Sequence, residues 1–194
     1  MFHFFVKTLY TEAEEETMEL VDAVVTRRSV REYDPRPIDE KDLTTILDVT
    51  RFAPSGSNRE PTRLIVIRDP QRRKSLAQLC SGQKFVGEAP IIIAVVIKTI
   101  DANRGNYMGS SSSLVDGAIV LDHLTLIARS FNLGTCWIGA FDNAQVKQFL
   151  GIPDDWNVVG LTPLGYPKTD HAFSTTTRRM PLSDFVMEER WESR

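Results

Sequence analysis

Residues 111–134, "SSSLVDGAIVLDHLTLIARSFNLG", constrain the fold more than any other stretch. At helical spacing they are apolar around most of their circumference, interrupted only by Asp116, Asp122, His123 and Arg129. Such a helix needs cover on nearly every side, so it belongs at the centre of a core. Gly117 leaves room there for a close neighbour. His123 reads as a satisfied core residue rather than a base or ligand. "IIIAVVI" at 91–97 makes a matching demand, because an apolar run of this kind suits a strand buried on both faces. Helix and strand signals alternate around these two elements without a composition break. They predict one α+β domain over residues 1–194, with helices on both sides of a small sheet.

Local signals predict the other elements. "TMELVDAVVTRRS" puts Leu20, Val21, Val24 and Val25 on one helical face, with its arginines in the last turn. In "PIDEKDLTTILDVTRFAP", Asp39 is the N-cap, Leu43, Ile46, Leu47 and Thr50 share a stripe, and Pro54 stops the helix. "RLIVIRD" (63–69) is a short strand, and Asp69-Pro70 opens a helix with proline at its first position. "TCWIG" predicts a strand. Asp142 and Gln145 form a capping box for "NAQVKQFL", which Gly151 ends, and "NVVGLTPLG" (157–165) is the last strand. Residues 1–16 read as an N-terminal arm. Residues 168–194 read as an extended tail with one weakly amphipathic stretch, "LSDFVMEERW".

A net charge of −3 disfavours a nucleic-acid partner. Two cysteines far apart, Cys80 and Cys136, suggest reduced cytoplasmic thiols, and no spacing suggests a metal. The run "APIIIAVVI" is too short to span a membrane. There is no G-x-G-x-x-G after a strand and no P-loop, and His3, His123 and His171 lack triad context. Cys136 reads as a structural thiol. An enzyme with so few reactive side chains would take its chemistry from a cofactor.

"RRSVREYDPRPI" packs four arginines into residues 27–36. Arg27, Ser29 and Arg31 offer the guanidinium and hydroxyl donors that a phosphate monoester needs. On its own the cluster fits a solvated helix end better than an anion site. Its company changes the balance. "TRRSVREYDPRPI", "LTTILDVTRFAPSGSNREP", "RLIVIRD", "VDGAIVLDHLTLIARSFNLGTCWIGAF" and "LGIP…VVGLTPLGYP" occur in this order over residues 20–185. This series resembles the nitroreductase family of flavin enzymes.

The resemblance implies a three-layer α-β-α sandwich with a central, mostly antiparallel sheet, a long central helix and a C-terminal tail exchanged within a homodimer. It implies non-covalent FMN at the dimer interface and NAD(P)H as electron donor. Arg27 and Ser29 then match positions that hold the FMN phosphate and ribityl chain, and Arg28 and Arg31 positions beside the flavin. Lys84 looks like the lysine at the pyrimidine edge, with a plain surface lysine as the alternative. Gly139 matches the residue whose amide points at flavin N5, with Trp137 and Ile138 before it in the cofactor-binding set. Arg179 matches a second phosphate-binding arginine. Pro54, Ser55, Gly56 and Asn58 match a segment supplied by the other subunit.

Two departures stand out: Glu60 where relatives commonly have glutamine, and Thr177 where a lysine is common. Trp137 and Tyr107 are candidates to line a substrate pocket, although an aromatic in a strand is more often core. Loop 101–112 is a candidate cover. The implied activity is reduction of nitroaromatics, quinones or similar acceptors by a ping-pong mechanism. The alternatives are reductive dehalogenation, flavin fragmentation, or a flavin-binding sensor without turnover.

Overall fold

Four strands, β1 (Thr62–Ile67), β2 (Ile91–Lys98), β3 (Gly134–Thr135) and β4 (Trp156–Gly165), form one sheet in the order β1-β2-β4-β3. Each neighbouring pair is antiparallel. The computed structural model describes residues 18–99, 111–174 and 177–191. The expectations for residues 1–16, for Tyr107 and for loop 101–112 up to residue 110 lie outside the described residues.

The helices are α1 (Leu20–Thr26), α2 (Glu40–Thr50), α3 (Pro70–Leu79), α4 (Lys84–Glu88), α5 (Ser111–Ser130), α6 (Asn143–Leu150) and α7 (Leu182–Phe185). β2 decides how they are layered. Residues 91–97 are buried throughout, and alternate side chains point to opposite faces. Ile92, Ala94 and Val96 pack with Leu76 and Ala77 of α3, Val86 of α4 and Val146 of α6. Ile91 and Ile93 pack with Leu43 and Ile46 of α2 and with Leu124 and Ala128 of α5. Each fully buried aliphatic side chain contributes about 1.5–3 kcal/mol, so a strand apolar on both faces requires a helical layer on each side.

Caps set the helix ends as the local signals predict. The Asp39 carboxylate accepts from Lys41 N–H at 2.7 Å, and Asp69 accepts from Arg72 N–H at 2.7 Å, with Pro70 at the first turn of α3. Asp142 accepts from Gln145 N–H and from its side-chain amide, both at 3.0 Å, and Gly151 ends α6 at φ +69°. His123 Nδ1 pairs with Ile119 O at 3.0 Å.

Three expectations are corrected. Arg27 and Arg28 lie beyond α1, because the chain turns extended at Arg27 (φ −57°, ψ 131°). "TCWIG" is not one continuous strand. Cys136 N–H donates to the Thr162 hydroxyl at 3.2 Å instead of to a main-chain carbonyl, and pairing resumes at Ile138, which exchanges two bonds with Leu161. Trp137, within that break, is not core but 45% exposed.

Much apolar surface faces outward. On α1, Leu20, Val21, Val24 and Val25 are exposed, as are Leu114 and Val115 near the start of α5. At the root of the tail, Ala172 and Phe173 pack on Val30, Tyr33 and Ala89. Beyond it Met180, Leu182, Phe185, Val186 and Trp191 are exposed.

Candidate functional site

Arg28 closes the end of α1 by donating through Nη1 to Val25 O and Arg27 O, both at 2.8 Å. The basic run therefore leaves the helix as extended chain. It lies against β3: Ser29 bridges Thr135 in parallel, and Val30 N–H donates to Thr135 O at 2.8 Å. Gly134 permits this approach, since a Cβ there would lie 2.7–2.9 Å from three carbons of Val30. Asp34 N–H continues the contact by donating to Tyr166 O at 2.9 Å.

This pairing gathers Arg27, Ser29 and Arg31 around Cys136. Burial pushes the Cys136 thiol pKa up, while Arg31, a hydrogen bond with Ser29, and Arg27 pull it down. Neither Arg27 nor Arg31 is in an ion pair among the described residues. Arg27 Nε is buried and has no hydrogen-bond partner among the described residues. A buried donor without an acceptor is costly, and an anion beside Ser29 would satisfy it.

Gly139 follows on the same segment. It is exposed, and no atom lies within 4 Å of a Cβ built on it, so the space against its backbone is open. Ile138 is buried, and the Trp137 indole edge lies against Gly160, where a Cβ would come 2.9 Å from Trp137 Nε1. Lys84 is exposed at the first position of α4. The turn before it touches the chain just past Gly139, through Ser81 Oγ to Ala140 O and Asp142 N–H to Leu79 O, both 3.3 Å. The pattern of donors around open space suits a phosphate-bearing planar cofactor.

The other predicted site residues lie elsewhere. Pro54 and Asn58 are exposed, Ser55 is half-buried and Gly56 is buried. Gly56 N–H donates to the Asp116 carboxylate on α5, at 3.0 and 3.1 Å to its two oxygens. Thr26, beside Arg27, is held at the other end of α5 by Arg129 Nε, at 3.0 Å. From residue 116 to residue 129 is 13 residues, about 20 Å of helix. One chain thus keeps the 54–58 and 27–31 segments at opposite ends of α5. Arg179 is exposed on the tail, where its guanidinium donates to Arg178 O at 3.2 Å. Glu60 and Thr177 are also exposed.

The sequence pattern of the Nitroreductase family matches residues 24–89 and 80–166, which hold the arginine run, the α5 core and the Gly139 segment. The chain belongs to the nitroreductase family. A nitroreductase family protein from Clostridium novyi NT superposes with a TM-score of 0.74 at 31% identity, over 80% of this chain and 88% of that one. The NADPH-flavin oxidoreductase of Vibrio harveyi is 28% identical, over 89% of this chain and 74% of its own length. The 5,6-dimethylbenzimidazole synthase of Rhodobacter capsulatus is 29% identical, over 77% and 84%. The α-β-α layering with its long α5 is therefore the nitroreductase fold.

Sequence reasoning missed the roles of Asp116 and Arg129, which stood only as interruptions of an apolar helix. Arg129 is 8% exposed, and its guanidinium stacks 3.9 Å from the Phe173 ring centre and donates to Asn132 Oδ1. A charge on an otherwise apolar helix was the available signal, because burying it requires a partner.

Proposed function

We propose that this nitroreductase family member passes electrons from NAD(P)H to nitroaromatic, quinone or related acceptors by a ping-pong mechanism, at FMN sites shared between two copies of the chain. The chain is an NAD(P)H-dependent flavin oxidoreductase. The observation that carries the reading is the unpartnered Arg27 Nε beside Ser29 and Arg31, on a segment paired to the strand that leads to open Gly139. FMN, when bound, supplies the two-electron chemistry between nicotinamide and acceptor.

The chain's own residues bind and orient. Arg27 and Ser29 hold the phosphate and ribityl chain, with Arg28 keeping the segment turned out of α1. Arg31 and Lys84 would hold the ring end of the cofactor, where their positive charge would favour its reduced, more negative form. Gly139 keeps its face free of side chain, with Ile138 anchoring the segment and Trp137 lining the opening. Pro54, Ser55, Gly56 and Asn58 come from the partner, as does the tail with Arg179. The distance of about 20 Å along α5 supports this division. So do the exposed apolar faces of α1, α5 and the tail, which a second copy would cover.

Donor and acceptor then use one site in turn. Double-reciprocal plots of NAD(P)H consumption at several acceptor concentrations should give parallel lines, and intersecting lines would indicate two separate pockets. The likeness to a 5,6-dimethylbenzimidazole synthase favours a second reading, in which the protein consumes its flavin. Intact FMN recovered after many turnovers contradicts that reading.

A further inference from the structure

The loop between α2 and β1 holds an unfavourable shape. Ser57 (φ 55°), Asn58 (φ 53°) and Glu60 (φ 47°) all sit in the left-handed region. Side-chain-bearing residues disfavour it, so the loop keeps this form only if something fixes it. Most of its hydrogen bonds are local: Asn58 N–H to Ser55 O (3.1 Å), Arg59 N–H to Gly56 O (3.2 Å) and Glu60 N–H to Ser55 Oγ (2.9 Å). These close the turn on itself and leave its place in the molecule open. Gly56 N–H to Asp116 is different, because it reaches 60 residues along the chain to α5. The acceptor is a carboxylate presenting both oxygens to one amide, a charge-assisted bond. α5 itself is fixed by Leu121, Leu124 and Ala128 in the core, so Asp116 ties the loop to a rigid element.

We propose that Asp116 is a positioning residue that acts in trans: by holding the Gly56 amide it sets Ser55 and Asn58 in the flavin site of the other subunit. The proposal rests on the shared-site reading above. Asp116 holds Gly56 near one end of α5, whereas Arg129 holds Thr26, next to the Arg27–Arg31 segment of the same chain, near the other. Its loss should therefore leave the site of its own chain intact and damage the partner's.

Mixed dimers test this through two readouts, FMN-binding stoichiometry by flavin fluorescence titration and turnover. Asp116→Ala homodimers should bind FMN about tenfold more weakly at both sites, the equivalent of one lost hydrogen bond. A control heterodimer of Arg27→Ala with Asn58→Asp should retain one tight FMN site and about half of wild-type turnover, since both defects fall in one site. Asp116→Ala paired with Arg27→Ala should do the same. Asp116→Ala paired with Asn58→Asp should have no tight site, because each site then borrows a damaged loop. Asp116→Asn keeps an acceptor oxygen without the charge; it should show a smaller loss and serves in the same crosses if the alanine variant fails to dimerise. If the control recovers but Asp116→Ala with Arg27→Ala does not, or if Asp116→Ala with Asn58→Asp recovers, site sharing stands and the role of Asp116 falls. If the control itself does not recover, the shared site falls and this proposal with it.

Discussion

Arg27, on the arginine segment, and Cys136, just past β3, carry buried polar groups with different consequences. The buried Arg27 Nε lacks an acceptor among the described residues, and a phosphate would supply one. Arg27→Ala removes a charge-assisted contact of about 1.5–3 kcal/mol, so FMN should bind at least about tenfold more weakly. Equal affinity in a fluorescence titration would take Arg27 out of the site. Burial pushes the Cys80 thiol from 9.0 up to about 11, and Cys136 is raised by the same cause. A raised folded-state pKa means that the stability from keeping the proton is complete below pH 9.0 and is lost as pH climbs towards 11. Thermal stability should therefore decline through that window, and Cys80→Ala should decline less steeply. An unchanged slope would mean that Cys80 is not ionised against its burial. Tyr33, raised by burial as well, steepens the upper part of the window in both proteins.

At the scale of elements, the site depends on how closely extended chain can approach β3. Gly134 sets that distance. An added methyl would meet Val30 Cβ, Cγ1 and Cγ2 at once, at 2.7–2.9 Å, well inside the usual 3.5–4.0 Å carbon contact. With all three carbons in the way, no rotation of Val30 relieves the clash, so the 27–31 segment must shift. Gly134→Ala should weaken FMN binding although residue 134 is not among the ligand-holding residues. Wild-type affinity in that variant would show that the β3 pairing does not position the arginines. Much at this scale was legible in the sequence, because the signals are local. Asp39, Asp69 and Asp142 cap their own helices, and the unbroken apolar run of β2 announces two covered faces. The break after Thr135 was not legible, since it depends on a hydroxyl 26 residues away in β4.

At the scale of the whole molecule, α5 works as a spacer, with Asp116 holding the 54–58 loop near one end and Arg129 holding Thr26 near the other. Periodicity showed that α1 has an apolar face, but not that one chain leaves Leu20, Val21, Val24 and Val25 uncovered; that emerges only when the layers are assembled. The arginine run was equally ambiguous alone. The family pattern covers it, and the pairing of Ser29 with Thr135 sets it against the strand that runs on to Gly139, which is the basis of the cofactor role proposed for it. At an FMN site of this kind, the cofactor exchanges electrons with nicotinamide and acceptor in separate steps. The most direct test is anaerobic mixing of the FMN-loaded protein with NADH or NADPH alone. The flavin colour should bleach in a single turnover without any acceptor, and should return when a quinone or nitroaromatic is added after the nucleotide has been removed. A flavin that keeps its colour with both nucleotides, or that bleaches only when the acceptor is already present, would contradict the account.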